Sequence, residues 1–380
     1  MSKQAISITA ISTVSPLGSD TKTVLESYNS PKHTFTKKDN NWVATLDSKT
    51  KEAILALKAE NTKYQQLDAS VLFSILSSRQ AKTQAKWDDS SNFGVNIGSS
   101  RGATALFEQQ YDFFLEYGKA QTLASPTTTL GNISSWVAHD LQTSGPDISH
   151  SITCSTALHA LLNGVVWIKS GLCNQFLVGG SEAPLTPFTI AQMKALKIYS
   201  KAKNIDFPCQ ASNLDKTKNS MILGEASGSL CLEAGLKENR LAQITGLGFA
   251  TEILTHHVSL SKDGDCFEKS MQMALNEANL ETVDVIVTHT PGTIKGDLAE
   301  LNAIDKLFTT RPFLTNNKWK IGHSLGASGL LSLEMGLLML QENTVFNVPF
   351  IEQEKPNSIN TIMVNAVGFG GNAVSVIIQR

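Results

Sequence analysis

Residues 155–171 read STALHALLNGVVWIKSG, and residues 326–343 read GASGLLSLEMGLLMLQEN. Both segments open on small residues and then carry apolar side chains on nearly every face of a helix. A helix that is apolar all round lies inside a protein rather than on its surface. The two segments therefore predict a pair of central helices, each buried between layers of other elements.

A second pair of similar segments favours an internal duplication. AISITAISTVS (5–15) and LAQITGLGFATE (241–252) each run from a predicted strand into small residues. The number of residues between such a segment and the buried helix that follows it differs between the two copies. The repeat is therefore an indication and not a proof.

Short apolar runs bounded by glycine, proline or polar residues predict the strands, and helical periodicity predicts the helices. Strands and helices alternate, which is typical of an α/β protein. The polar stretch 30–52 is interpreted as a surface excursion. The predicted strands are 5–11, 93–98, 175–179, 220–232, 241–250, 284–289, 361–366 and 373–379, and the predicted helices are 66–79, 103–117, 131–141, 155–170, 267–279, 298–307 and 326–342.

Composition excludes several classes of function. The chain has 380 residues, of which 41% are hydrophobic and 17% charged, and its formal net charge is -2. A basic surface is the usual requirement for general nucleic-acid binding, so we expect no nucleic-acid partner. The N-terminus lacks the apolar core of a signal peptide, and no apolar run reaches the length of about 18 residues that a membrane span needs. We expect no membrane span and a cytoplasmic protein.

The chain has five cysteines, an odd number, and no two of them form a CxxC pair. That pattern disfavours a disulfide framework and a zinc site. Cys154 follows a short β-prone run and precedes the first buried helix, in HSITCSTALHALLNG (150–164). Unpaired N–H groups at a helix N-terminus stabilise a thiolate, so Cys154 is a candidate nucleophile.

Two histidines stand in comparable places. His289 ends an apolar strand in VDVIVTHTPGTIKGD (283–297), and His323 precedes the second buried helix in KIGHSLGASG (320–329). Ligands of α/β sheets bind where strands end. One sulfur and two imidazoles suit a nucleophile with two electrophilic partners. A zinc site made of the same three residues stays open as an alternative, although no short ligand pair such as HxxxH is present.

Three charged residues and a glycine-rich loop accompany this set. Lys318, Asp297 and Glu300 are interpreted as an outer charged set, with the two carboxylates near the start of a helix and a supporting Glu300–Lys318 ion pair. VGFGGN (367–372) lies between the last two strands, and its glycines permit close backbone approach. The N–H of Phe369 is a candidate oxyanion donor.

These residues match motifs of a known family. ITCSTALHA resembles the nucleophile motif TACATGTHA, and HTPGTIKGDLAE (289–300) resembles HGTxTxxxDxxE. KWKIGHSLGASG (318–329) resembles KxxxGHxxGAxG, and GFGGNAV (368–374) resembles GFGGTNA. VSPLG (14–18), VGGSEAPLTP and LGEASG are further matches. Over nearly its whole length the chain resembles elongating β-ketoacyl-acyl carrier protein synthases of the thiolase superfamily.

The resemblance implies a thiolase-like α/β fold with two pseudo-duplicated halves, residues 1–237 and 238–380, in a five-layered α-β-α-β-α arrangement. It implies an acyltransferase in which Cys154 carries an acyl chain and His289 and His323 promote decarboxylative Claisen condensation with a malonyl group. Lys318 and Glu300 would organise the site. The N–H groups of Cys154 and Phe369 would stabilise the oxyanion, and Phe369, between Gly368 and Gly370, would gate the acyl pocket.

The resemblance also implies partners. We expect no bound cofactor, because substrates would arrive on the phosphopantetheine of an acyl carrier protein, and we expect a homodimer or a heterodimer with a ketosynthase-like subunit. No acidic residue lies between Glu182 and Asp206, so Lys194 and Lys197 would attract the acidic carrier, with a solvated helix end as the open alternative. The resemblance places Lys194 near the entrance, and it implies that Phe107 lines the acyl pocket. Thr293 would hold the pantetheine arm, although Pro291 stands where the family has a second threonine. Compact ketosynthases of this kind resemble those of aryl polyene or flexirubin-type pathways.

Three other functions stay open. A non-elongating subunit similar to a chain-length factor is one, although such subunits usually lack the cysteine. A thiolase-like enzyme acting on coenzyme A thioesters is the second, although thiolases typically use another cysteine near the C-terminus and none follows Cys266. A binding or structural protein that kept the fold is the third, since fold alone does not establish function.

Overall fold

The computed structural model describes residues 4–88, 92–130, 132–203, 205–253 and 260–380. Its strands are β1 (Ile6–Val14), β2 (Thr36–Lys38), β3 (Asn41–Ala44), β4 (Gly94–Gly98), β5 (Asp147–Ile148), β6 (Gln175–Glu182), β7 (Leu223–Gly224), β8 (Ala226–Ala234), β9 (Ala242–Thr251), β10 (Val285–Val287), β11 (Phe313–Thr315), β12 (Thr361–Gly368) and β13 (Asn372–Gln379).

The α-helices are α1 (Thr21–Asn29), α2 (Ser48–Glu60), α3 (Ala69–Ala85), α4 (Thr104–Tyr117), α5 (Ala124–Thr128), α6 (Asn132–Leu141), α7 (Thr156–Lys169), α8 (Pro187–Ala195), α9 (Asp265–Ala278), α10 (Ile294–Leu307), α11 (Lys318–Ile321) and α12 (Ser328–Glu342). Short 3₁₀ turns span Thr62–Gln66, Thr153–Ser155 and Leu325–Ala327.

Two five-stranded sheets repeat one topology. The first has the order β1-β8-β6-β4-β5, and the second, written from its other edge, has the order β9-β13-β12-β10-β11. In each sheet, read in this order, the first two pairs of neighbouring strands are antiparallel and the last two pairs are parallel. The predicted similarity of the segments at 5–15 and 241–252 is therefore a similarity of β1 and β9, which are the matching edge strands.

The two predicted central helices lie between the sheets. Every residue of α12 from Ser328 to Leu340 is buried, whereas α7 is buried on most of its surface but exposes Val166. The helices approach closely, because a Cβ at Gly329 would stand 2.7 Å from Leu158 Cγ. The prediction of deep burial is thus confirmed for α12 and confirmed in large part for α7.

Helices cover the outer face of each sheet. α3 packs on β1 and β8 of the first sheet with α6 beside it, and α9 packs on β9 and β13 of the second with α10 beside it. The layers are therefore helices, sheet, the central pair α7 and α12, sheet, and helices. The predicted five-layered fold is confirmed, while the division at residues 237 and 238 stays a prediction.

The interpretation of residues 30–52 as a surface excursion is wrong for its central part. β2, β3 and β7 form a small third sheet, and Trp42 and Val43 of β3 are buried. β3 and β7 run parallel, so the segment is pinned to the first half of the predicted strand 220–232. That predicted strand is in fact two strands, interrupted at Glu225, whose carboxylate accepts the N–H of Leu46 at 2.9 Å.

No helix in the described ranges has the length and apolar character needed to cross a membrane.

Candidate active site

A cavity of about 480 Å³ opens between the two halves of the molecule. Its wall includes the three residues singled out as chemical candidates, Cys154, His289 and His323. Phe369 with Gly368 and Gly370, and Thr293 beside Pro291, also line it. Four distant segments of the sequence therefore meet at one cavity.

Cys154 occupies the 3₁₀ turn that leads into α7 and is only 6% exposed. Thr156, the first residue of α7, closes this turn with its hydroxyl. Its Oγ1 accepts the N–H of Ile152 at 2.9 Å and donates to the carbonyl of Thr153 at 2.6 Å. The sulfur thus lies at the start of a buried helix, as predicted from the sequence.

The backbone before the cysteine is strained. Thr153 has φ +45°, which is unfavourable for a β-branched residue and costs about 1–3 kcal/mol. The glycine loop packs directly against it, since a Cβ at Gly368 would lie 2.1 Å from Thr153 Oγ1. Glycine at position 368 is therefore required for the loop that carries Phe369 to approach the turn that carries Cys154.

His289 begins a loop that is held by two carboxylates. Glu300 accepts the N–H groups of His289 and Thr290 at 2.9 and 2.8 Å, and Asp297 accepts those of Gly292 and Thr293 at 2.9 and 3.1 Å. Both acids lie one turn apart on α10, so one helix face fixes the whole loop. Both carboxylates are completely buried, and their role as a set that supports the histidine turns stays a prediction.

His323 is fixed by a different neighbour. Its N–H donates to the carbonyl of Ile222 at 2.7 Å, and its carbonyl accepts the N–H of Gly224 at 3.2 Å. These bonds form a parallel bridge to Leu223 of β7. The first half of the chain thereby positions a histidine that belongs to the second half.

The two imidazoles face each other at right angles. Their ring centroids are 5.3 Å apart, with an angle of 88° between the planes. Burial, together with the positive charge of Lys318, lowers the pKa of His323 to about 3 and holds the pKa of His289 well below its usual range. Both rings are therefore neutral near pH 7, and each can present one N–H to an oxygen atom.

The protonation of Cys154 differs from the sequence expectation. Burial raises the pKa of its thiol to about 12, and the negative charge of Glu182 acts in the same direction. Desolvation thus outweighs the stabilisation of a thiolate expected at a helix start. The resting group is a thiol, which must lose its proton during any acyl transfer.

Lys318 and Glu300 do not form the predicted ion pair. Lys318 Nζ donates to Ser332 Oγ at 2.7 Å, while Glu300 accepts a third bond from Asn365 Nδ2 at 3.1 Å. Burial lowers the pKa of Lys318 to about 8 and raises that of Glu300 to about 7, and each charge partly offsets the shift of the other. The two groups are coupled through space behind the histidines, and neither lines the cavity.

The remaining predicted residues fall into two groups. Thr293 lines the cavity, and its Oγ1 also caps α10 by accepting the N–H of Gly296 at 3.2 Å. Lys194 and Lys197 are exposed on either side of Leu196, which belongs to the cavity wall. Phe107 is 61% exposed on α4, away from the cavity wall of this chain, so its pocket role stays a prediction.

Sequence reasoning missed several residues of this region. Glu182 is completely buried and accepts the N–H of Gly326 at 3.1 Å and that of Ser100. An acid at the end of the apolar strand QFLVGGSE was a signal that could have identified it. The missed apolar wall carried no such signal and consists of Met193, Leu196, Ile198, Met221, Leu260, Ile294, Leu325 and Val367.

The zinc alternative requires several ligand-type side chains that converge on one point. Within the described ranges, no three His, Cys, Asp or Glu side chains are grouped so that they could hold a metal ion.

Comparison with known proteins identifies relatives along the whole chain. The family model described as beta-ketoacyl synthase, N-terminal domain, matches residues 3–238, and the model described as beta-ketoacyl synthase, C-terminal domain, matches residues 241–351. The chain is 28% identical to 3-oxoacyl-[acyl-carrier-protein] synthase 2 of Coxiella burnetii, with 100% of this chain and 99% of that protein covered.

Solved structures agree in fold. A beta-ketoacyl synthase from Burkholderia phymatum superposes with a TM-score of 0.86 at 20% identity, covering 99% of both chains. A chain from a ketosynthase in complex with its chain length factor, from Xenorhabdus doucetiae, superposes with a TM-score of 0.82 at 20% identity, covering 99% of this chain and 98% of that one.

Proposed function

The chain belongs to the beta-ketoacyl synthase family, and we propose that it joins an acyl group held on Cys154 to a malonyl group by decarboxylative Claisen condensation. Both substrates would arrive as thioesters on the phosphopantetheine of an acyl carrier protein, as the name of the relative from Coxiella burnetii suggests. The narrower likeness to aryl polyene synthases stays a prediction.

The first half-reaction loads the nucleophile. The sulfur of Cys154 attacks the carbonyl carbon of the acyl thioester, the carbon–sulfur bond to pantetheine breaks, and the thiol proton of Cys154 passes to the departing pantetheine sulfur. The negative charge that develops on the carbonyl oxygen would be met by the N–H groups of Cys154 and Phe369. Preorganised donors of this kind usually supply the largest part of the rate enhancement.

The second half-reaction forms the new carbon–carbon bond. The malonyl thioester loses carbon dioxide, and the electron pair of the broken bond leaves an enolate whose oxygen accepts hydrogen bonds from neutral His289 and His323. The enolate carbon attacks the acyl thioester on Cys154, the carbon–sulfur bond breaks, and the thiol reforms with a proton from solvent. The product is a 3-oxoacyl group on the carrier protein.

One observation carries this proposal. The sulfur and the two imidazoles line a single cavity, with the imidazoles 5.3 Å apart and both pKa values lowered. Neutral imidazoles donate hydrogen bonds to an enolate oxygen without protonating it irreversibly, which is what decarboxylation followed by carbon attack requires. Lys318, buried behind them, favours the neutral state of both rings.

The proposal includes two protein partners. The acidic carrier would dock near Lys194 and Lys197, beside the part of the cavity wall formed by Leu196. A second ketosynthase-like chain would cover α4, a helix with no buried residue in this chain. That helix exposes a set of large apolar side chains, namely Phe107, Tyr111, Phe114, Leu115 and Tyr117.

The direct test is to incubate the protein with an acylated carrier protein and to locate the acyl mass by peptide mass spectrometry. We expect it on Cys154, and we expect addition of malonyl carrier protein to release carbon dioxide and remove the acyl mass. A chain-length-factor-like subunit would show neither step. A thiolase-like enzyme would prefer coenzyme A thioesters to carrier-bound ones, and either result would contradict the proposal.

A further inference from the structure

Lys216 and Asp297 form a buried ion pair beside the His289 loop. Lys216 Nζ lies 2.8 Å from Asp297 Oδ2, and the two side chains are 2% and 0% exposed. Burying two charges costs about as much in desolvation as their attraction returns, so such a pair is weak evidence for a contribution to stability. A role in fixing local geometry is the alternative reason for its presence.

Asp297 accepts four hydrogen bonds from two segments of the chain. Oδ1 takes the N–H groups of Gly292 and Thr293, and Oδ2 takes the N–H of Ser212 at 2.8 Å and the ammonium of Lys216. Lys216 Nζ also donates to the carbonyl of Asn213 at 2.8 Å. The carboxylate therefore ties the His289 loop to the segment that contains Lys216.

The same segment reaches the histidine loop at two further points. The N–H and the hydroxyl of Ser220 both donate to the carbonyl of Gly292, at 2.8 and 3.0 Å. Asn219 Oδ1 accepts the N–H of Ile294 at 2.8 Å, and Ile222 accepts the N–H of His323. Residues 212–224 thus hold the backbone on both sides of the cavity, and Lys216 is the buried cation within them.

Ionisation of Asp297 is necessary for this arrangement. Burial raises the pKa of Asp297, and the charge of Lys216 opposes that rise. Without the ammonium group the acid would be driven towards its protonated form. Protonation turns one carboxylate oxygen into a hydroxyl group, which must donate a hydrogen bond and accepts more weakly. The N–H groups of Gly292 and Thr293, or that of Ser212, would then keep only a weaker acceptor.

We propose that Lys216 is a positioning residue for His289. Lys216 keeps Asp297 ionised and thereby fixes residues 292 and 293 of the His289 loop. The inference rests on the proposed function, because the geometry it protects is the one that decarboxylation requires. Lys216 does not line the cavity, and it reaches the His289 loop through Asp297. Its loss should therefore slow decarboxylation, which uses His289, and leave acyl loading of Cys154 intact.

The test compares Lys216→Met with Lys216→Arg and with Lys218→Met, a control at a nearby exposed lysine. Acyl loading of Cys154 and carbon dioxide release from a malonyl carrier protein are measured separately for each protein. Small misplacement of a catalytic group costs about 10²-fold in rate. We expect kcat for carbon dioxide release to fall by about that factor in Lys216→Met, with loading within about twofold of the parent.

The other variants define what the result means. Lys216→Arg keeps the charge and should restore most of the release, and Lys218→Met should match the parent. Lys216→Gln keeps an N–H donor without the charge, so it should behave as Lys216→Met and replaces it if the methionine variant does not fold.

Two results would overturn the positioning role. One is release within twofold of the parent in both neutral variants, and the other is an equal loss of loading and release that Lys216→Arg fails to rescue. A parent protein inactive in both assays would instead overturn the proposed function.

Discussion

Pro291 stands at the one place in the His289 loop where a backbone donor is not needed. The N–H groups of residues 289 and 290 go to Glu300, and those of residues 292 and 293 go to Asp297. Proline has no N–H, so it fits between the two carboxylates without leaving a buried donor unpaired. This accounts for the residue in terms of the fold, while its effect on pantetheine binding stays a prediction.

His323 leads to a pH-dependent prediction. Its pKa is about 3 in the folded chain, compared with about 6.5 when exposed. Between these values the unfolded chain binds a proton that the folded chain does not. The stability contributed by neutral His323 is therefore complete above pH 6.5 and is lost as pH falls towards 3, by at most about 1.4 kcal/mol per pH unit.

Replacing His323 by glutamine should remove this dependence. Thermal unfolding from pH 7 to pH 5 is expected to show a steeper fall of the midpoint in the parent than in His323→Gln. His139→Gln changes an exposed histidine and should keep the slope of the parent. Equal slopes for all three proteins would mean that His323 takes up its proton between pH 7 and pH 5 in the folded chain as it does in the unfolded chain, which would contradict the lowered pKa.

At the scale of elements, α8 and the residues after it connect the surface to the cavity. Met193, Leu196 and Ile198 line the cavity, whereas Lys194 and Lys197 between them are exposed. Attraction between exposed charges steers association and is weakened by salt. Under the proposed function, we expect the cations of this element to affect carrier docking rather than chemistry.

Charge reversal at these two lysines tests that role. Lys194→Glu and Lys197→Glu are expected to raise KM for carrier-bound acyl groups several-fold at low salt, because an acidic carrier would be repelled. Small acyl thioesters should be used as by the parent, and Lys22→Glu on α1 serves as a control. Equal losses with carrier-bound and small substrates would show that the lysines act on the site itself.

The sequence predicted the elements that bury apolar surface and missed those that depend on partners elsewhere in the chain. The central helices are visible because their side chains are apolar on all faces. The strand containing Trp42 is short and lies in a polar stretch, and its burial depends on pairing with β7 about 180 residues later. Local pattern carries no information on that pairing.

The same limit applies to the candidate site. Cys154, His289 and His323 were found because each stands at the end of a predicted element. The burial of Asp297 and Glu300 was not, since two acids three residues apart on a helix look like a solvated face until the loop that they hold is known. Lys216 lies in a polar segment without periodicity and gave no signal.

At the scale of the whole molecule, the candidate site lies where the two halves of repeated topology meet. The turns before α7 and α12 are equivalent in the two halves, and Thr153 and Leu325 in them both have positive φ, +45° and +43°. One turn carries Cys154, and the other follows His323. The junction of the two halves thus brings together groups that neither half contains alone.

The central claim assigns acyl transfer to the sulfur and decarboxylation to the imidazoles, and one measurement separates them. Carbon dioxide release from malonyl carrier protein and acyl mass at residue 154 are followed for Cys154→Ala and His323→Ala. We expect Cys154→Ala to lose loading and retain release, and His323→Ala to load normally with release slowed about 10²–10³-fold. Loading that survives in Cys154→Ala and disappears in His323→Ala would contradict the assignment.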